Sequence, residues 1–131
     1  MISDAFSGVG RTTAIECSKL GAVLTVTGRN RERLEETLRD LEGDGHKTFL
    51  ADLTVREDIE ALVGEVNCLG GIVLCARQRT VAPFEMSKKG LMELIFEVNY
   101  FLPVELLRLL VCGKNIKEDC IGCLFVLNRR C

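Results

Sequence analysis

Apolar positions along this chain recur at two spacings, and the alternation between them predicts the architecture. From Gly8 to Leu20, apolar or small residues fall at Val9, Thr13, Ala14, Cys17 and Leu20, close to helical spacing, and Gly21 supplies a stop. Val23 to Thr27 then runs apolar and β-branched without a polar face, as a strand buried on both sides of a parallel sheet does. Asn30 is a suitable N-cap for a surface helix whose inner face is Leu34, Leu38 and Leu41. Lys47 to Ala51 is the next expected strand, and Thr54 is placed to cap a helix facing inward through Ile59, Leu62, Val63 and Val66. Gly70-Gly71 leads into a strand at Ile72 to Ala76. Ser87 opens a long apolar helix running towards Val111, which Pro103 is expected to kink or interrupt because proline cannot donate the helical hydrogen bond. Cys120 to Leu127 is a last apolar strand.

Helices alternating with strands through short connections predict an α/β fold built on a doubly wound parallel sheet. The alternation opens with a helix, and only Met1-Ile2 precede the glycine-containing turn. The expectation is therefore a truncated sheet, lacking its first, central strand and its C-terminal half. Such a gap leaves backbone groups of the neighbouring strands without partners.

Composition sharpens this picture by exclusion. The 131 residues, 47% of them hydrophobic, suit one domain with its own core, and the whole chain, 1–131, is expected to be a single partial domain. Charged residues make up 27% and the net charge is −2, so the basic stripe of a nucleic-acid binder is missing. The longest apolar runs, such as Ile72 to Ala76 and Cys123 to Leu127, fall far short of the roughly 20 residues that cross a bilayer, and no signal-like segment opens the chain. A cytoplasmic protein with no membrane or nucleic-acid partner is expected. Seven cysteines, an odd number spread through strands and helices, read as thiols in a reducing compartment. Cys120-x-x-Cys123 falls within a strand, and no second pair or nearby histidine completes four ligands, so no metal site is expected. His46 reads as a solvated loop residue.

The candidate chemistry lies in Ser3-Asp4-Ala5-Phe6-Ser7-Gly8-Val9-Gly10, which leads directly into the first helix. Glycines at a helix N-terminus let backbone N–H groups approach and cradle a pyrophosphate. The run resembles the Thr-Gly-x-x-x-Gly-x-Gly loop of the short-chain dehydrogenase/reductase family, and Arg11-Thr12-Thr13-Ala14-Ile15-Glu16 continues the likeness. Asp4 occupies the place of the first glycine, where a Cβ and a carboxylate oppose a dianionic ligand.

Further matches run along the chain. Thr27-Gly28-Arg29-Asn30 resembles the end of the family's second strand, and a basic residue there, with no acid, favours NADP(H) over NAD(H). Asp52-Leu53 resembles the adenine-contacting pair after the third strand. Ile72 to Arg77 aligns with the Asn-Asn-Ala-Gly strand end near the nicotinamide ribose; Cys75 stands for the second asparagine, Ala76 is retained, and Arg77 replaces the glycine. Asn99 matches a helix asparagine that helps organise a proton relay.

The resemblance implies a Rossmann-like fold and an NAD(P)(H)-dependent oxidoreductase acting on a small carbonyl or alcohol. Ser3, Ser7, Gly8, Val9, Gly10, Arg29, Asn30, Asp52, Leu53, Cys75 and Ala76 are its expected cofactor residues, and Asn99 its catalytic one. Asp4 and Arg77 are expected to impair binding. The family's catalytic Ser and Tyr-x-x-x-Lys have no counterpart: Asn128-Arg129-Arg130 stands in place of the serine-bearing strand end, and the one tyrosine, Tyr100, is followed four residues later by Val104. The likeness thus covers about the first half of a usual member. It also implies self-association through the helix from Met92 to Leu110. The alternative is a catalytically inactive remnant that serves as a packing or binding module.

Overall fold

A computed structural model describes residues 1–78, 83, 85 and 88–125. Its elements are α1 (Gly8–Lys19), β1 (Thr25–Gly28), α2 (Arg31–Asp40), β2 (Lys47–Leu50), α3 (Arg56–Glu65), β3 (Leu69–Leu74), α4 (Lys89–Phe96), α5 (Leu102–Cys112) and β4 (Ile116–Phe125). A five-residue π-helical segment, Glu97–Phe101, joins α4 to α5.

The central strand expected to be missing is present in miniature. Ile2 bridges in parallel to both Val26 and Val73. Its N–H donates to the Thr25 carbonyl at 2.9 Å, and its own carbonyl accepts from Thr27 N–H at 3.0 Å. On the other side, Ser3 N–H donates to Val73 O and Val73 N–H to Met1 O, each at 2.9 Å. Residues 1–3 therefore join β1-β2 to β3-β4, giving the parallel order β2, β1, central stub, β3, β4. Three residues are too few for any apolar periodicity, which is why sequence patterning does not reveal the strand.

Successive strand residues point to opposite faces, so the stub feeds two cores. Met1 packs with Ile59 and Leu62 of α3, Ile72 and Leu74 of β3, and Leu106 and Leu110 of α5. Ile2 packs on the other side with Ala14, Val26 and Leu34. Helices thus cover both faces, as a doubly wound Rossmann-like sheet requires.

Several boundaries move from their expected places. Val23 is 70% exposed, and β1 begins two residues later, where the stub offers hydrogen-bond partners. Gly70 and Gly71 lie inside β3 rather than before it. Thr54 does not cap α3; Val55 holds the N-cap position, and Thr54 instead donates through its N–H and hydroxyl to Asp52 Oδ1. Asn30 does cap α2, accepting from Arg33 N–H at 3.0 Å. His46 is not merely solvated. Its Nδ1 accepts from Leu24 N–H at 3.1 Å and its Nε2 faces Glu42 O at 2.9 Å, a pairing that ties the approach to β2 onto the residue just before β1. Ser87 and residues 126–131, including Leu127 and the Asn128 to Cys131 tail, lie outside the described residues.

Pro103 acts as expected, by interrupting the helix. A proline in a continuous α-helix loses one bond and drives its ring against the carbonyl four residues back, that of Asn99. Here the backbone widens into a π turn over Glu97–Phe101 and α5 restarts with Pro103 in its first turn.

Asn115, just before β4, has no counterpart in the sequence expectations. Its side-chain amide donates to Val63 O and Val66 O at the C-terminal end of α3, while its carbonyl accepts from Leu69 N–H at 2.7 Å. Replacing it with alanine strands two helix-end carbonyls. Asn115→Ala is expected to lower the unfolding free energy by about 1–3 kcal/mol, read from urea denaturation; an unchanged midpoint would refute this stapling role.

Candidate functional site

The site is built at the carboxyl ends of the strands, where the stub turns into α1. Ser3 is fully buried, and its Oγ accepts from Cys75 N–H at 2.9 Å and Ala76 N–H at 3.3 Å, fixing the end of β3 against the turn. Asp4 follows with φ of +54°, in the left-handed region. Ala5 is locked on both sides: its N–H donates to Thr27 O at 3.0 Å and its carbonyl accepts from the buried Thr37 hydroxyl at 2.9 Å.

Helix α1 then packs straight onto this turn. A Cβ on Gly10 would lie 2.5 Å from the Asp4 carbonyl oxygen and 3.1 Å from that of Ser3, so no larger residue fits. Gly8 has φ of +52° with open space beyond it. Ser7 makes no side-chain cap and the first turn, which includes Val9, holds no acid, so no side chain of the helix itself competes for an anion there.

Beside the turn, a cleft of about 60 Å³ is lined by Asp4, Thr27, Arg29, Asp52, Leu53 and Ala76, among others. Arg29 Nη1 lies 3.9 Å from Asp52 Oδ2, a loose and largely exposed pair worth at most about 1 kcal/mol. Burial raises the Asp52 pKa, but hydrogen bonds from the Thr54 hydroxyl and N–H, with Arg29, outweigh it and leave the carboxyl below its usual range. The opposite holds at Asp4, where burial pushes the pKa up and Arg29 offsets this only in part. Thr27 is wholly buried, and its Oγ1 has no hydrogen-bond partner among the described residues.

The remaining candidates take supporting positions. Asn30 caps α2, and Cys75 is held through its N–H by Ser3. Burial, then the Asp4 charge, pushes the Cys75 thiol up to about 11. Asn99 sits in the π segment and reads both polar groups of one residue: its Oδ1 accepts from Gln78 N–H at 2.8 Å and its Nδ2 donates to Gln78 O at 2.9 Å. Arg77 and Gln78 reach the rim of the cleft. Of the sequence candidates, Asp4, Arg29, Asp52, Leu53, Ala76 and Arg77 thus meet around one space, with Ser3, Cys75 and Asn99 holding its walls. Thr27 and Gln78 were not anticipated; a lone strand threonine and a backbone amide carry no sequence signal.

A larger cavity, of about 670 Å³, lies at the opposite, amino ends of the strands, between Val23 and Leu69 and beside the start of the stub. Size does not decide between the two. In open parallel sheets, ligands bind outside the carboxyl ends at the point where strand order reverses, here between the stub and β3. Among the described residues, only that end brings together the turn, an arginine and an unpartnered buried hydroxyl.

Comparison with known proteins agrees with this geometry. The sequence profile described as short chain dehydrogenase matches residues 1–113, and the chain belongs to that family. Human estradiol 17-beta-dehydrogenase 11 is 38% identical over 78 residues, which make up 53% of this chain and 26% of that protein. Among solved structures, an actinorhodin polyketide ketoreductase with NADPH superposes with a TM-score of 0.78 at 23% identity, over 86% of this chain and 45% of the other. A short-chain dehydrogenase from Sphingobium yanoikuyae in complex with NADPH gives 0.72 at 25% identity, over 83% and 45%. The chain spans about a quarter of that curated relative and about half of these solved chains.

Two predictions follow from the turn. Gly10→Ala forces a backbone clash that only movement of α1 can relieve, and is expected to cost about 1–3 kcal/mol in urea unfolding; a neutral substitution would mean that the close approach is absent. The raised Cys75 pKa means the folded state favours the neutral thiol. Its stabilising contribution is full below the ordinary value of 9.0 and is lost as pH rises towards about 11. Alkylation by iodoacetamide at pH 8 is therefore expected to modify exposed Cys68 and Cys112 well before Cys75, and mass mapping that finds Cys75 first would contradict this.

Proposed function

We propose that these 131 residues form the cofactor-binding half of an NAD(P)(H)-dependent oxidoreductase acting on a small carbonyl or alcohol, with NADP(H) preferred. The observation that carries this reading is Arg29 at the end of β1, in a cleft with no acid at that strand end and with the unpartnered Thr27 hydroxyl beside it. A guanidinium there suits the extra phosphate of NADP, and a buried hydroxyl without a partner suits a polar ligand atom. Asp52 and Leu53 are assigned to the adenosine end, with Asn30 holding the loop that carries Arg29.

The N-terminal amides of α1, at Gly8, Val9 and Gly10, with Ser7 beside them, are assigned to the phosphates. Ser3, Cys75 and Ala76 shape the wall towards the nicotinamide ribose. When bound, the dinucleotide supplies the hydride chemistry. Asn99 is assigned to proton handling through its hold on Gln78. The reading places the protein in the cytoplasm, and no described helix is long and apolar enough to cross a membrane. Exposed Leu94, Phe96, Tyr100 and Phe101 along α4 and the π segment suit self-association with a second copy.

A second reading, a catalytically inactive binding or packing module, draws on Asp4 in the phosphate turn and on Val104 where a lysine would follow Tyr100. Calorimetric titration of the chain with NADPH and NADH separates the two. Saturable binding that prefers NADPH and weakens about tenfold or more in Arg29→Ala is expected. No binding of either dinucleotide by folded protein would overturn the cofactor reading and leave the module.

A further inference from the structure

We propose that Asp4 cancels the affinity the turn before α1 would otherwise gain from a pyrophosphate, so that this cleft holds a dinucleotide by its adenosine end alone. The inference rests on the cofactor-half reading and deepens it. Two parts of the site, a few residues apart, have opposite electrostatic character.

The first part is receptive. Thr27, Arg29, Asp52, Leu53 and Thr54 share the cleft. The Thr27 hydroxyl has no partner among the described residues, and the Arg29 side chain is 61% exposed, with the Asp52 carboxylate 3.9 Å away, beyond a direct hydrogen bond. A phosphate monoester can take that guanidinium without breaking a strong pair. Asp52 is already turned to Thr54 through two hydrogen bonds, so its charge is partly answered locally.

The second part is hostile, and rigidly so. Asp4 lies between Ser3, whose N–H is bound to Val73 O, and Ala5, bound to Thr27 O and Thr37 Oγ1. Its own carbonyl is pressed against Gly10, close enough to exclude a methyl group. The peptide units on either side cannot shift to withdraw the side chain. Half-buried Asp4 therefore stays on the lining of the cleft with its backbone against the first turn of α1, and the like charge it carries there offsets whatever the free amides offer a dianion. Arg29 cannot relieve this while it serves the 2′-phosphate. A dinucleotide is thereby held by one end.

The test compares adenosine 2′-monophosphate with NADP⁺ by calorimetry in the wild-type chain, Asp4→Gly and Asp4→Asn. Glycine and asparagine both tolerate the positive φ at this position, so both variants are expected to fold at least as stably, checked by circular dichroism. Asparagine keeps the shape and removes the charge. In the wild type, the two ligands are expected to bind within about threefold of each other; in both variants NADP⁺ tightens about tenfold or more while the monophosphate changes by less than about twofold. Wild-type binding of NADP⁺ more than about tenfold tighter than the monophosphate would overturn the inference. So would variants that tighten both ligands alike, or neither, while monophosphate binding still depends on Arg29; that result leaves the cofactor-half reading standing. Failure of both ligands to bind any folded form overturns both.

Discussion

The parallel ladder made by residues 1–3 is the constraint on which the rest of the structure depends. Four backbone hydrogen bonds, two to each side, convert a pair of two-stranded fragments into one sheet. Each contributes only about 0.5–1.5 kcal/mol net, but the ladder also sends Met1 into one core and Ile2 into the other, at roughly 1.5–3 kcal/mol for each buried side chain. An isolated pair of strands is at best marginal in water, so neither half has an independent existence to fall back on. Exposure shows how deep this stub sits: Met1, Ile2 and Ser3 are 6%, 1% and 0% exposed, and the Met1 nitrogen donates to Gly71 O at 2.8 Å.

Fold and site share these residues. The strand ends at Ser3, whose hydroxyl holds the Cys75 and Ala76 amides, and the next residue begins the turn that Gly10 presses upon. The walls of the cleft are therefore set by the same ladder that closes the sheet. Geometry and charge nevertheless diverge at Asp4. The backbone keeps the left-handed conformation a glycine would take without strain, while the side chain introduces a charge that the shape alone does not require.

How much of this was legible in the sequence depended on whether the controlling interaction is local. Helices α1, α2 and α3 follow from apolar spacing, and the Asn30 cap from its own side chain, because each is decided within a few residues. Arg29 and Asp52 could be placed at strand ends by the same alternation. Long-range pairing was not legible. Gly70 and Gly71, poor strand formers, are drawn into β3 by the pairing of Leu69 and Gly71 with β4, while β-branched Val23 is left outside β1 and exposed. The same holds for Asn115, which reaches back to α3, and for His46, which bonds Leu24 just before β1: each looks like an ordinary loop residue until its partner 22 or more positions away is known. The Thr27 hydroxyl was illegible for another reason, since its interest lies in a partner it lacks.

Pro103 shows how a helix irregularity reaches the cleft. The π turn that accommodates it carries Asn99, whose amide clamps both polar groups of the Gln78 backbone. Gln78 lies just beyond β3, at the rim beside Arg77, in a stretch with no ladder of its own. A regular helix would rotate Asn99 by a fraction of a turn, since one extra residue per turn changes the direction of every side chain after it. The clamp and the π turn therefore stand or fall together, and the proline that seems to spoil the helix also sets the direction from which one wall of the cleft is held.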